Sequence, residues 1–255
     1  MRTILLVISG ALVAVGAVVA AVTTAPGRYA SAGQASSPDR TALGKSIREY
    51  LLANPEVLVE AMTELERRQD NQRDAVAQKG VQENQAELFR DPDSPIGGNV
   101  NGNVVVVDFN DYQCPYCKRA HQALKSVIGA DGNVKVVYKD LPILGEASKI
   151  AALAALASTK QGKHQALHDA LMEHSGKLDR ERIFEIAGSV GLDLAQLEKD
   201  MQDPRLKQII DRNLALASAL GVRGTPAFVI GKQFVPGAVD AATLKQLIAD
   251  ARKAG

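Results

Sequence analysis

The most constraining feature of the sequence is a run of four valines, Val104–Val107, which leads through a short polar turn to both cysteines of the chain, Cys114 and Cys117. β-Branched residues favour a buried strand, whereas the residues after Cys114 repeat apolar side chains at helical spacing. Cys114 is therefore expected where a strand gives way to a helix, with Pro115 at the first helical position. There, free backbone N–H groups and the helix dipole would stabilise a reactive thiolate.

The Cys114-Pro115-Tyr116-Cys117 segment resembles the active site of the thioredoxin-like disulfide oxidoreductases, and the DsbA family in particular. The resemblance implies that Cys114 is the exposed nucleophile, that Cys117 is the more buried resolving thiol, and that Pro115 and Tyr116 contact the substrate. Tyr116 replaces the histidine of the Cys-Pro-His-Cys enzymes, which implies a less extreme oxidant. No metal or organic cofactor is expected, because the redox group is the Cys114–Cys117 disulfide itself.

Two other readings of the cysteine pair stay open. Half of a zinc site has the same spacing, and His164 and His168 could supply the other two ligands. However, 46 residues separate Cys117 from His164, far more than in zinc fingers, and both histidines lie in a helical pattern where a surface position is expected. A structural disulfide is the second alternative, although four-residue loops seldom serve that purpose.

Composition argues against several partners. The chain has 30 Lys and Arg against 29 Asp and Glu, a net charge of +1, which does not favour nucleic acid or an acidic substrate. Two cysteines provide no disulfide framework. The pair is therefore expected to act on other proteins rather than to stabilise its own fold.

The N-terminal 32 residues predict export. The apolar stretch 4–22 follows Arg2 and indicates either a signal peptide or a retained inner-membrane anchor. Ala30-Ser31-Ala32 supplies a cleavage motif. Either outcome places the rest of the chain outside the cytoplasm, in the periplasm, where a disulfide can persist.

Residues 33–90 predict a helical segment with an apolar stripe close to a heptad repeat. The stripe consists of Leu43, Ile47, Leu51, Leu58, Met62 and Leu65, and Asn54 occupies the remaining position of the repeat. Asn54 is a good N-cap and Pro55 a good first helical residue, so two helices are expected, 41–53 and 55–89. The segment is either an oligomerisation stalk or an arm folded onto the catalytic domain.

Residues 91–255 predict an α/β thioredoxin fold with a helical insertion at about 142–220. The Pro- and Gly-rich segment 91–102 marks the boundary. A second strand at 134–138 would pair in parallel with the valine strand through a crossover helix. After the insertion, Thr225-Pro226 opens a strand, a hairpin and a final helix. In the resembling family this Thr-Pro bond is cis and faces the cysteines, and Thr225 offers its backbone to an extended substrate.

The N-terminal segment makes the resemblance more specific. Asn-Pro-Glu-Val-Leu at 54–58, followed by Asp91–Pro95 and Gly97–Asn99 before the cysteine strand, is similar to the ScsC/Com1-type branch of the DsbA family. Some members of that branch are trimers joined through their N-terminal helices, which implies a homotrimer here.

Asp108 lies six residues before Cys114 on the valine strand. The buried acid of the family has this spacing and relays a proton for the second cysteine. A carboxyl in an apolar strand should have a raised pKa and could exchange a proton with Cys117 near neutral pH. The alternative is an Asp108 side chain that ends the strand in solvent.

Together these features predict an exported thiol–disulfide oxidoreductase that forms or isomerises disulfide bonds. Its expected partners are unfolded or misfolded exported proteins and a membrane redox partner. The alternative is a redox-inactive periplasmic chaperone or metal-binding module on the same fold.

Overall fold

The computed structural model describes residues 40–254 of the chain. The predicted signal peptide or membrane anchor, including the apolar stretch 4–22, lies outside the described residues. None of the helices within residues 40–254 is long and apolar enough to cross a membrane. The chain divides into two compact units, one that ends at Leu58 and one that begins at Val59.

The first unit contains α1 (Arg40–Ala53) and the start of α2 (Glu56–Glu83). The helices break at Asn54, where the sequence predicts a break. The Asn54 amide, however, donates a hydrogen bond to the carbonyl oxygen of Tyr50 (2.9 Å). Asn54 thus completes the end of α1, a role that differs from the predicted N-cap of the second helix.

The apolar stripe of α1 is not buried by any other part of the chain that the structure describes. None of the α1 side chains is buried, and Leu43 and Ile47 are 51% and 50% exposed. An apolar face of this kind normally packs against another element, because exposed apolar surface costs free energy. The first unit therefore presents an unpartnered helix face.

The second unit is built on a mixed five-stranded sheet with the order β1-β3-β2-β4-β5. The strands are β1 (Ile96–Gly98), β2 (Val104–Asn110), β3 (Val134–Asp140), β4 (Ala227–Ile230) and β5 (Gln233–Pro236). β2 and β3 pair in parallel, as predicted, and the β4–β5 hairpin forms one edge. β1, which the sequence analysis does not predict, forms the other edge, antiparallel to β3.

The two faces of the sheet are covered by different helices. Successive side chains of a strand point to opposite faces. The even-numbered residues of β2 up to Asp108 lie on the face that packs against α4 (Pro115–Asp131) and α10 (Ala241–Ala254). The odd-numbered residues face α9 (Pro204–Ala219). Asp108 therefore shares a face with the helix that carries the cysteines.

The predicted helix 55–89 is two helices, because the chain breaks at Asn84 before α3 (Gln85–Phe89). Val81 and Leu88 are 1% and 0% exposed and belong to the core on the α9 face of the sheet. The end of α2 and all of α3 thus contribute to the core of the second unit. They lie within the segment that the sequence analysis assigns to the helical stalk.

A helical bundle is inserted between β3 and β4, within the predicted range 142–220. It consists of α5 (Glu146–Ala157), a 3₁₀ turn (Ser158–Gln161), α6 (His164–Glu173), α7 (Arg180–Ser189), α8 (Leu194–Asp200) and α9. The alanines of α5 let its neighbours approach closely. Cys114 and Cys117 pack against the core of this bundle, so the cysteine pair lies where the insertion meets the sheet.

Candidate active site

Cys114 lies at the point where β2 and its turn give way to α4, as predicted. It is the N-cap of α4, with Pro115 in the first turn. The Cys114 backbone N–H donates to the carbonyl oxygen of Asp111 (3.0 Å) and closes the turn. The unpaired N–H groups of the first helical turn thus lie next to the sulfur, where they favour negative charge.

Cys114 is not the exposed partner that the sequence analysis expects. Cys114 and Cys117 are 5% and 2% exposed, and both are free thiols. The segment that contains Thr225 covers the sulfur, because the Cys114 Sγ donates a hydrogen bond to the carbonyl oxygen of Thr225 (3.2 Å). Pro115 and the 56%-exposed Tyr116 form the open rim of the site.

The Thr225–Pro226 peptide bond is cis and faces the cysteines, as the resemblance implies. The Thr225 carbonyl that contacts Cys114 is bonded directly to the Pro226 nitrogen, so Pro226 lies beside the sulfur. Next to it runs a surface groove, lined on one side by Gln69, Arg73 and Val76 of α2. The groove is thus adjacent to the Thr225 carbonyl that contacts Cys114.

Cys117 lies one turn into α4. Its Sγ accepts a hydrogen bond from the Asp111 backbone N–H (3.5 Å). Burial raises the pKa of the Cys117 thiol far above its usual range, and the hydrogen bond from Asp111 opposes this increase only in part. Cys117 is therefore a protonated thiol in the reduced protein at neutral pH.

Asp108 is a buried acid, which excludes the alternative of a side chain in solvent. It is 4% exposed, and its Oδ1 has no hydrogen-bond partner. Burial, and secondarily the charge of Asp140, raises the pKa of Asp108 to about 7. The charge of Asp108 in turn contributes to the raised pKa of Cys117. A group that titrates near neutral pH is thus coupled to the buried thiol.

Asp140, at the end of β3, is a second buried acid that the sequence analysis missed. It is 2% exposed, and burial raises its pKa to about 7, while Tyr112 and Asn110 nearby limit the increase. Asp140 pairs in register with Asn110, two residues after Asp108. Extending the predicted strand by two residues would have placed Asp140 on the Asp108 face of the sheet.

Asp111 holds two loops together rather than taking part in chemistry. Its Oδ1 accepts the Gln113 backbone N–H (2.8 Å), and its Oδ2 accepts those of Ile143 and Leu144 (2.9 and 3.0 Å). The turn before Cys114 is thereby fixed to the loop that follows β3.

His164 and His168 are buried and do not have the surface positions that the sequence predicts. His164 and His168 are 7% and 0% exposed and pack on Tyr138 of the sheet rather than on the surface. Within residues 40–254, the set of three close metal-ligating side chains is His121, His168 and Asp169, and it contains neither cysteine. The alternative zinc site from the two cysteines, His164 and His168 is therefore not formed.

Comparisons with known proteins agree with this geometry. The family model described as the DSBA-like thioredoxin domain matches residues 105–249. A second model, described as the copper resistance protein ScsC N-terminal domain, matches residues 39–72.

Solved structures are similar over most of the chain. A thioredoxin-like oxidoreductase from Silicibacter pomeroyi DSS-3 is 47% identical with a TM-score of 0.66, covering 68% of this chain and 99% of that chain. A linker-deletion mutant of ScsC from Proteus mirabilis is 31% identical with a TM-score of 0.66, covering 88% of this chain and 100% of that chain.

Among curated proteins, the Na(+)/H(+) antiporter NhaA 1 of Salinispora arenicola is 31% identical over 143 residues. The match covers 55% of this chain and 22% of the antiporter. The matched part of the chain thus spans about a fifth of the length of that relative.

Proposed function

Because the chain belongs to the DsbA-like thioredoxin family, we propose that it is an exported protein thiol–disulfide oxidoreductase that works through Cys114 and Cys117. One observation carries the proposal. The Cys114 Sγ lies at the N-terminus of α4 and 3.2 Å from the carbonyl oxygen that precedes the cis Pro226. A sulfur in this position has helix N–H groups to stabilise its thiolate and an adjacent backbone to dock a peptide.

In the oxidising direction, a substrate thiolate attacks the Cys114 Sγ of the enzyme disulfide. The sulfur–sulfur bond to Cys117 breaks, and Cys117 leaves as a thiolate. Because burial disfavours that charge, Cys117 takes up a proton, for which the neutral carboxyl of Asp108 is the nearby donor. A second substrate thiolate then attacks the substrate sulfur of the mixed disulfide. Two electrons have passed from the substrate to the enzyme, which is left as the dithiol.

In the isomerising direction, the reduced Cys114 thiolate attacks a wrong disulfide of the substrate and forms the mixed disulfide. A different substrate thiolate then displaces Cys114, so no net electrons are transferred. If the complex stalls, Asp108 accepts the Cys117 proton, and Cys117 releases the substrate. The same buried pair of groups thus serves both directions.

The substrates we propose are unfolded or misfolded exported proteins. The Thr225 backbone next to the Cys114 sulfur can pair with an extended chain, and the groove beside Pro226 can continue the contact. We further propose a periplasmic location and a membrane redox partner that resets the cysteine pair. Support for these comes from the apolar N-terminal stretch and from membership of the family.

Trapping of mixed disulfides tests the assignment of the two cysteines. Cys117→Ala removes the resolving thiol, so the Cys114 thiolate should attack the disulfides of scrambled ribonuclease or of periplasmic proteins, and the resulting mixed disulfides should accumulate. Non-reducing gels and mass spectrometry of the linked peptide measure the result. Cys114→Ala is the matched control and should trap nothing, because the Cys117 thiol is buried and protonated.

Complexes that form through Cys117 in the control would contradict the assignment. An unmodified chain that neither oxidises reduced ribonuclease nor rearranges its scrambled form would contradict the enzymatic function, and would favour the redox-inactive chaperone.

A further inference from the structure

We propose that His121, His168 and Asp169 form a binding site for Zn²⁺ between α4 and α6, separate from the two cysteines. One donor atom from each of these three side chains lies within 4.8 Å of the others. His121 belongs to the active-site helix, one turn after Cys117, whereas His168 and Asp169 belong to the helical insertion. A bound ion would therefore join the cysteine-bearing helix to the insertion.

Two histidine nitrogens are available for an ion. The Nε2 atoms of His121 and His168 are both buried without a hydrogen-bond partner, although the residues are only 5% and 0% exposed. The two rings meet edge to face with their centroids 5.2 Å apart. Buried polar atoms without a partner are costly, and a cation is one group that could satisfy both.

Tyr112 fixes the orientation of the buried His168. Its hydroxyl oxygen lies 3.0 Å from His168 Nδ1. When Nδ1 carries the proton and donates it to Tyr112, the lone pair of Nε2 is free to bind a metal. Metal-binding histidines usually have such a partner on the second nitrogen, because it fixes both the tautomer and the ring plane.

Asp169 supplies the carboxylate and the route to solvent. Its Oδ1 lies 3.7 Å from His121 Nε2, and its side chain is 22% exposed. Gln165 donates to Oδ1 (2.7 Å), and Lys125 Nζ lies 2.8 Å from Oδ2. An ion would take a remaining lone pair of Oδ1 while Lys125 keeps Oδ2. Glu173, whose Oε1 lies 3.9 Å from His121 Nε2, is placed to become a fourth ligand.

Two imidazoles with a carboxylate match the preferences of Zn²⁺, which binds nitrogen and oxygen at about 2.0–2.2 Å. Closing the ligand set around such an ion needs the donors to approach one another by roughly 1 Å. Since Lys125 and Glu173 are about half exposed, they can move during this adjustment.

Calorimetric titration with ZnCl₂ tests the site. The full chain with Cys114→Ser and Cys117→Ser is the parent, because this removes the thiolates as ligands. We expect one Zn²⁺ per chain at neutral pH and a rise in Tm with Zn²⁺ concentration. His121→Gln and Asp169→Asn should each weaken binding by at least about tenfold, and Tyr112→Phe by about tenfold through loss of ring orientation.

His164→Gln is the matched control, since His164 lies on the same helix and is similarly buried but outside the triad. His174→Gln is a second control; both should bind as the parent does. If a variant of a buried histidine fails to fold, Asp169→Asn still tests the site, because the Asp169 side chain is partly exposed and its replacement should be tolerated. No binding by the parent, or unchanged binding by Asp169→Asn, would overturn the proposal.

Discussion

At the scale of single residues, Asp108 makes the stability of the protein depend on pH. Its pKa in the folded chain is about 7, whereas an unfolded Asp titrates near 3.9. The folded state therefore keeps a proton that the unfolded state loses, and folding loses stability as the pH rises between these two values.

Asp108→Asn should remove this dependence. The unfolding free energy of the reduced variant, relative to the unmodified chain, should increase by about 3–4 kcal/mol between about pH 4 and pH 8. Chemical denaturation at several pH values measures it. Asp250→Asn, at an exposed acid of α10, is the control and should follow the unmodified chain. If the unfolding free energies of Asp108→Asn and of the unmodified chain changed with pH in parallel, Asp108 would not keep its proton near neutral pH in the folded chain.

The residues that the sequence could reveal are those whose neighbours lie close along the chain. Cys114, Cys117 and Asp108 are within ten residues of one another, so strand and helix spacing is enough to place them. Asp140 and His168 are different, because their roles depend on the pairing of β3 with β2 and on how α6 packs on the sheet. Such long-range contacts leave no local pattern in one sequence.

At the scale of elements, the contact between α2 and α9 depends on a glycine. A Cβ at Gly80 would lie 2.6 Å from the backbone oxygen of Ala219 and 3.0 Å from the Cα of Leu220. Neither backbone atom can move aside easily. The helices therefore approach as closely as they do because residue 80 has no side chain.

Gly80→Ala should destabilise the folded chain by about 1–3 kcal/mol, since the backbones must separate. Thermal and urea unfolding measure the loss. Gly129→Ala in α4 is the matched control, because its new Cβ meets nothing within 4 Å. That change should be stabilising by about 0.5–1 kcal/mol through helix propensity. Equal effects at the two sites would mean that α2 does not pack on α9 in solution.

The burial of the end of α2 also explains why the sequence does not reveal where the exposed part of the N-terminal helical segment ends. The polar residues after Leu65 indicate a solvent-exposed helix, yet Val81 and Leu88 further along are buried. A few buried residues late in a polar helix do not produce a clear apolar stripe. The break at Asn84 and the short strand β1 are likewise set by packing rather than by a strong local signal.

At the scale of the whole molecule, we propose that the exposed stripe of α1 is the surface through which the chain forms a homotrimer, the assembly that its resemblance to the ScsC/Com1-type branch implies. The match of residues 39–72 to the ScsC N-terminal domain covers this stripe. Leu43 and Ile47 are half exposed in the single chain, and burying them between copies would stabilise an isolated helix that is otherwise marginal.

Light scattering on residues 33–255 should give a trimeric mass, and the double change Leu43→Asp and Ile47→Asp should reduce it to that of a monomer. Leu52→Asp is the control, because Leu52 is more exposed (65%) and lies about 140° around the helix from Ile47. Isomerisation of scrambled ribonuclease should fall with the mass, since several sites on one particle raise their effective concentration at a shared substrate. A monomeric mass for the unmodified chain would exclude the trimer.

The recessed position of Cys114 has a consequence for timing in the cell. Cys114 is only 5% exposed and its sulfur contacts Thr225. A substrate cysteine can therefore reach the Cys114 sulfur only if it lies in a flexible segment of polypeptide. Once a protein has folded, its disulfides no longer lie in flexible segments and cannot contact Cys114. Under the proposed function, the mobility of a substrate rather than its sequence would determine whether it reacts, and a substrate would stop reacting once it has folded.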